Sequence, residues 1–501
     1  MSQRDAVAES TPEATYARHC ASCHGANRLG AMGPALLPEN LRRLRRADAV
    51  RVVADGRPAT QMPAFGAVVD VAEIEAVVDL IYTPPATPPI WGHDEIAASR
   101  IVHRTPASLP AAPVHDADPL NLFVVVESGD HHVSILDGDA LEPIHRFASR
   151  FALHGGPKFS PEGRFVYFAS RDGWISKFDL YALELVAEVR AGINSRNLAV
   201  SGDGRYVMVA NYLPHTLVLL DAGDLSLLEL IAVENDEGES SRVSAVYDAA
   251  PRQSFIAALK DLKEVWEIQY ADEPVYYGRV HDYRDEGAPK PAARFPVRRI
   301  RLDDYLDDFF FDAGYENLVG AARNAHGGQV VSLLVGRKIA DVDLPGLPHL
   351  GSGISWNLDG REVVATPNLK EAAVSIIDTS TWRTVRRIET LGPGFFLRSH
   401  EATPYAWVDV FFGSDRDAVH VIDKRTLEIV ETLRPAPGKT AAHVEFTRDG
   451  RYALLSIWDM DGAIVVYDAA TLTEVKRIPM RKPSGKYNVF NKITHSRGTS
   501  H

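Results

Sequence analysis

Cysteine is almost absent: the 501 residues hold two, Cys20 and Cys23, both in one short motif. With no thiol left elsewhere, no structural disulfide is expected. Long apolar runs are missing too. No stretch approaches the roughly 18 uninterrupted apolar residues of a membrane helix, and the first thirty residues contain no apolar signal core. The numbered chain therefore shows neither a transmembrane segment nor an export signal. Positive charge is in deficit, with 54 Lys+Arg against 67 Asp+Glu and a net charge of −13. Such a field repels polyanions, which excludes nucleic acid as a natural partner. What is present suits a soluble globular chain: 45% hydrophobic and 24% charged residues can bury a large core. The length calls for more than one ordinary domain.

The two cysteines stand in Cys20-Ala21-Ser22-Cys23-His24. This is the C-x-x-C-H pattern of covalent haem c attachment, in which two thioethers fix the porphyrin and the adjacent imidazole ligates the iron. A redox dithiol has no need of the histidine, and a zinc site would want two further ligands. Covalent haem attachment in bacteria takes place outside the cytoplasmic membrane, so the periplasm is the expected location. A thioether opposite the histidine would raise the haem potential. Met62, in Gln61-Met62-Pro63-Ala64-Phe65-Gly66, is the favoured sixth ligand, and Met32 is the alternative. Ile74, Val77, Val78 and Ile81 recur at helical spacing and predict a helix over 70–82. We place a small all-α cytochrome c domain over 1–83 and a stiff, extended proline-rich linker over 84–117, which opens Pro84-Pro85-Ala86-Thr87-Pro88-Pro89.

From residue 118 to 501 the pattern changes to short β-rich runs. One phrase recurs, Asp or Glu, Gly, Arg and then a strand: Glu162-Gly163-Arg164, Asp203-Gly204-Arg205, Asp359-Gly360-Arg361 and Asp449-Gly450-Arg451. Gly163 and Gly204 lie 41 residues apart, and Gly360 and Gly450 lie 90 apart. That period predicts four-stranded blades of a β-propeller, and the remaining length accommodates about eight of them. The charged, proline-containing stretch from Asp272 to Asp304 reads as a long excursion between blades.

Several stretches resemble cytochrome cd1 nitrite reductase and its relatives: Ser170-Arg171-Asp172 with the following strand, Ala191-Gly192-Ile193-Asn194-Ser195-Arg196, Leu347-Pro348-His349-Leu350-Gly351-Ser352-Gly353, and Ser484-Gly485-Lys486-Tyr487-Asn488-Val489. The resemblance covers most of the chain and implies an all-β eight-bladed propeller that binds haem d1 in its central channel. It implies His154 as proximal iron ligand of haem d1, and Arg171 and Arg196 as partners of the carboxylates. Guanidinium forks suit a tetrapyrrole bearing several carboxylates.

The reductase places two histidines over the iron. His349 matches one, whereas alignment puts Phe311 at the other, and a phenyl ring cannot donate a proton. That departure points to the maturation relatives of the reductase, among them the dihydro-haem d1 dehydrogenases, which share the cytochrome-plus-propeller layout. The resemblance then implies an oxidoreductase of haem d1 biosynthesis. It would dehydrogenate the propionate side chain of dihydro-haem d1 to an acrylate, with electrons passed to haem c and on to an external acceptor. His443 and Tyr487 match positions near the substrate and can exchange protons, with His349 as distal ligand or acid. The reductase and other maturation proteins are the implied partners. Two alternatives stay open: a cd1-type nitrite reductase, for which His326 would be the nearest substitute distal group, and a non-catalytic haem d1 carrier.

Overall fold

The computed structural model describes residues 11–42, 44–57, 62–153, 156–273, 293–322 and 327–494. Its N-terminal part is helical: α1 (Pro12–His19), α2 (Ala21–His24), α3 (Pro38–Leu41), α4 (Arg46–Asp55) and α5 (Val71–Tyr82). Each principal helix has a local reason to begin. Thr11 caps α1 by accepting from the Ala14 amide at 3.3 Å, and Asp70 caps α5 by accepting from Glu73 N at 2.8 Å. Ile74, Val77, Val78 and Ile81 form the buried stripe of α5, two of them packing with Tyr16 and Leu41.

The remainder is a ring of eight antiparallel sheets among the described residues. We number the blades in chain order. Their innermost strands are Pro483–Asn488 (blade 1), Lys158–Phe159 (2), Asn194–Val200 (3), Val243–Ala249 (4), Leu306–Phe311 (5), Ile354–Leu358 (6), Leu397–Ser399 (7) and Ala441–Phe446 (8). Blade 1 is closed by the chain's C-terminal strand, which pairs with Leu122–Glu127 and leaves the ring without an open edge there. The helix α7 (Val489–Ile493) follows the closing strand.

All four glycine phrases occupy the same place, the turn between the first and second strands of blades 2, 3, 6 and 8. The glycines need it: Gly163, Gly204, Gly360 and Gly450 have φ of 78°, 71°, 82° and 71°, the left-handed region. A second repeat escaped the sequence reading. Asp137, Asp179, Asp221, Asp378, Asp423 and Asp468 each end a third strand, and each is followed four residues later by Leu141, Leu183, Leu225, Trp382, Leu427 or Leu472 at positive φ. The carboxylates accept from backbone amides two or three residues on, for example Asp423 from Arg425 and Thr426 at 2.8 and 2.9 Å. These are Asx turns.

Two expectations are corrected. The excursion after Asp272 does not run between blades: it joins the third strand of blade 4, Glu264–Gln269, to its fourth, Val297–Arg301, which pair directly. Residues 274–292 lie outside the described residues. Nor is the stretch after the prolines a bare spacer. It forms α6 (His93–Ser99), which buries Ile96 completely, and then Ile101–Val102 adds a fifth strand to blade 2 against Glu188 and Ala187. Apolar Trp91 and Ile96 make docking on the sheet more favourable than extension in water.

Candidate functional site

The helical domain builds one half of the site. Cys20, Cys23 and His24 are spaced i, i+3, i+4 around the α2 turn, which puts both sulfurs and the imidazole on one face. Nδ1 of His24 donates to the Pro34 carbonyl at 2.8 Å, so Nε2 keeps its lone pair for a metal. Gly33 lies flat against this ring, where a Cβ would come within 2.7 Å of Cε1. Met62 is half-buried in the loop between α4 and α5, whereas Met32 is 71% exposed. The donor set fits a c-type haem with a thioether as sixth ligand.

The propeller channel builds the other half, and every blade contributes. In a meander that starts inward, the connections entering each innermost strand and the turns between second and third strands share one face of the ring. Arg171 and His349 stand on that face, and Arg196 and His443 lie early in innermost strands. His154, on the entry to blade 2, lies outside the described residues, as does His326.

His443 is fully buried at a bulge opposite Ser456 and Leu455. Bulges re-aim a side chain. Neither ring nitrogen has a hydrogen-bond partner among the described residues, which in a core would be costly and in a ligand site is an open valence. Burial first, then the charges of Lys486, Arg398 and Lys492, hold its pKa well below 6.5. The imidazole is therefore neutral at neutral pH. Its ring packs edge-on to Tyr487 at 5.1 Å and Phe396 at 4.7 Å. Burial pushes the Tyr487 phenol up to about 12, so it stays protonated. Gly156 and Gly485 make room for that hydroxyl, since a Cβ at either would approach it to 3.1 and 2.7 Å.

His349 is brought to the same place through the Phe395-Phe396 turn. Its Nδ1 donates to the Phe395 carbonyl at 2.7 Å, leaving Nε2 as an acceptor, and burial lowers its pKa. Asp409, itself buried, holds this arrangement together: its carboxylate accepts from Phe395 N at 2.7 Å, Phe396 N at 3.1 Å and His443 N at 3.2 Å. From neighbouring blade 5, Asp308 accepts from the Tyr247 hydroxyl at 2.9 Å and from Gly351 N at 2.8 Å, which fixes the turn carrying His349.

Cations prevail. Buried Arg398 and Lys486 lie near half-buried Lys158 and Lys492, and desolvation pushes Lys158 down to about 8 and Lys492 to about 7. Arg196, anchored by a 3.0 Å bond from Nε to the Ser244 carbonyl, adds its charge near His349. Asp308, Asp409 and Glu445 do not balance them, so the channel suits a polycarboxylate with a flat apolar body. The sequence reading missed Lys158, Arg398, Asp308 and Asp409. Their signal is faint: Lys158, Asp308 and Arg398 are charged residues in innermost strands, and Asp409 ends a second strand.

Phe311 requires a correction. It is 1% exposed and packs between blades with Phe309 and Tyr315, so it does not face the channel. Strand alternation turns Asp308 toward His349 instead.

Comparison with known proteins agrees with this geometry. Residues 117–492 match the family model described as Cytochrome D1 heme domain, and residues 7–81 match Cytochrome C oxidase, cbb3-type, subunit III. Dihydro-heme d1 dehydrogenase of Pseudomonas aeruginosa is 57% identical over 98% of this chain and 96% of its own length. Protein NirF of the same organism is 31% identical over 73% of this chain and 90% of its own length. A solved structure of dihydro-heme d1 dehydrogenase NirN in complex with DHE superposes with a TM-score of 0.91 at 56% identity, over 96% of this chain and all of that one. A cytochrome c unit joined to a channel lined for a carboxylated macrocycle thus places the chain in the cytochrome D1 haem domain family, and within it among the dihydro-haem d1 dehydrogenases.

Proposed function

We propose that this chain dehydrogenates the propionate side chain of dihydro-haem d1 to an acrylate, completing haem d1. The observation that carries the reading is His443: a neutral, buried imidazole with no hydrogen-bond partner among the described residues, set against the protonated hydroxyl-bearing ring of Tyr487 in a cationic channel. Forming the double bond removes two protons and two electrons. His443 is suited to accept the first proton, and Tyr487 to orient the carboxylate or exchange the second. Lys158, Arg171, Arg196 and Arg398 would hold the carboxylates, and His154 and His349 would ligate the iron. Cys20, Cys23, His24 and Met62 would hold haem c, which would supply a one-electron acceptor.

A haem c unit over 1–83, a strap over 84–117 and the propeller over 118–501 go with this reading. So do a periplasmic location, an external electron acceptor, and transient contact with other maturation proteins and with the nitrite reductase that uses the product. No helix among the described residues is long and apolar enough to cross a membrane.

The test is anaerobic incubation of the haem c-loaded protein with dihydro-haem d1. Loss of two hydrogens from the extracted tetrapyrrole, with reduction of haem c, is the expected result. Tight binding without a change of mass would overturn it in favour of a carrier.

A further inference from the structure

The fourth strand of blade 2 ends in Arg190, which is 4% exposed and belongs to no part of the site described so far. Its guanidinium joins three separate pieces of chain. Nε donates to the Asp172 carbonyl at 2.8 Å, and a terminal nitrogen donates to the Leu29 carbonyl of the cytochrome domain at 2.5 Å. The plane lies over the Trp91 indole at 4.6 Å. The backbone is held from the same side, because Trp91 Nε1 donates to the Arg190 carbonyl at 2.9 Å and Arg190 N donates to Ser99 Oγ at 2.9 Å. Gly30 fits flush, since a Cβ there would come within 3.1 Å of the guanidinium.

A second contact lies beside it. Asn40 Nδ2 donates to the Ile193 carbonyl at 3.1 Å, and Ala35, Leu37 and Ile193 bury one another against Trp91 and Leu213. The cytochrome domain is thus seated on two loops of the channel's entry face. Asp172 directly follows Arg171, and Ile193 lies three residues before Arg196. On the other flank Leu29 lies in the turn that follows His24, whose carbonyl accepts from Gly30 N at 2.8 Å. Beyond Trp91 the strap is locked by its strand on blade 2 and by Arg100, which pairs with Asp224 at 2.6 Å.

We infer that Arg190 is a positioning residue that pins the haem-bearing side of the cytochrome domain to the loops carrying Arg171 and Arg196, setting one fixed distance for electron transfer. The inference rests on the dehydrogenase reading. Each turnover releases two protons to water and two electrons, which leave in two one-electron transfers by way of the cytochrome domain to an external one-electron oxidant, ferricyanide in the assay. Arginine suits the contact because its rigid fork sends two donors in fixed directions while its central carbon lies over an indole; a lysine ammonium, a point charge on a flexible stem, does not hold that combined geometry. A seated domain makes the transfer independent of a search by diffusion.

The test uses the full haem c-loaded chain with R190K and, as a second variant at the same contact, W91A. Three quantities are read: affinity for dihydro-haem d1, the rate of haem c reduction in the preformed complex, and hydrogen exchange over residues 91–104 without tetrapyrrole. Expected are unchanged affinity, reduction slowed by about tenfold or more, and faster exchange across the strap in both variants. Wild-type exchange in both variants would overturn the pin, as would faster exchange with an unchanged reduction rate. Loss of affinity in both would make Arg190 part of the binding site instead and equally overturn the inference. If the wild type fails to reduce haem c at all, the functional reading fails, while exchange still judges the contact.

Discussion

The bulge in the innermost strand of blade 8 holds His443 at φ +54°, a conformation asparagine tolerates better than most residues. H443N is therefore the substitution that removes the base with least backbone cost. It should lower the dehydrogenation rate by about 10²-fold or more while leaving dihydro-haem d1 binding intact, read by single-turnover kinetics and titration. The pH dependence has a definite sign. Because the folded pKa of His443 lies well below 6.5, the unfolded chain binds more protons as pH falls below 6.5, and the contribution present above that pH is lost on acidification. Urea midpoints measured at pH 7.5 and 5.5 should therefore fall further for wild type than for H443N. Activity should likewise persist below pH 6.5, where an unperturbed histidine would already be charged. In the cytochrome domain, M62A should lower the haem c potential and abolish the spectrum of thioether ligation, whereas M32A should change neither. An unchanged spectrum in M62A would remove Met62 as ligand.

Among the elements, the turns that announce the fold and the loops that build the site lie on opposite faces. The Asp-Gly turns join first to second strands and the Asx turns join third to fourth, so both repeat on the face away from His349 and Arg171. Their chemistry is local, a left-handed glycine or a carboxylate over two amides; the glycine phrase was read from sequence, whereas the Asx repeat, marked only by an Asp at a strand end, was not. His443 of blade 8 meets Asp409 and Arg398 of blade 7 only through the packing of neighbouring blades, and short-range pattern says little of that. Gly173 and Gly360 allow the two kinds of glycine to be separated. Gly360 has φ +82° with nothing near its Cβ direction, so G360A should cost only the backbone term, about 1 kcal/mol. Gly173 has φ +91°, and its Cβ would lie 1.8 Å from the Gly192 carbonyl, between the loops of Arg171 and Arg196. G173A should cost roughly 3 kcal/mol or more in unfolding experiments and also weaken tetrapyrrole binding. Equal costs for the two would show that the blade contact yields.

At the scale of the whole molecule, the count of blades followed from length and period, but the strap's docking did not, because a proline run reveals stiffness and not what lies after it. Ring closure and site assembly are one event here. The strand that seals blade 1 carries Lys486, whose ammonium bonds the His443 carbonyl and Ser456 Oγ, and Tyr487, whose ring touches His443. It also leads into α7, whose Lys492 stands 3.8 Å from buried Glu445. A chain ending after Met480 would expose the inner edge of Leu122–Glu127 and strip the innermost strand of blade 8 of the strand beside it. Such an edge pairs with other chains. The truncated protein should therefore attach haem c normally, because the cytochrome domain has its own core, yet aggregate and fail to bind dihydro-haem d1. Supplying residues 481–494 as a separate segment during expression should restore solubility and binding together. Recovery of solubility without binding would show that the ring can close around a site still unformed, and that the shared strand does not unite the two events.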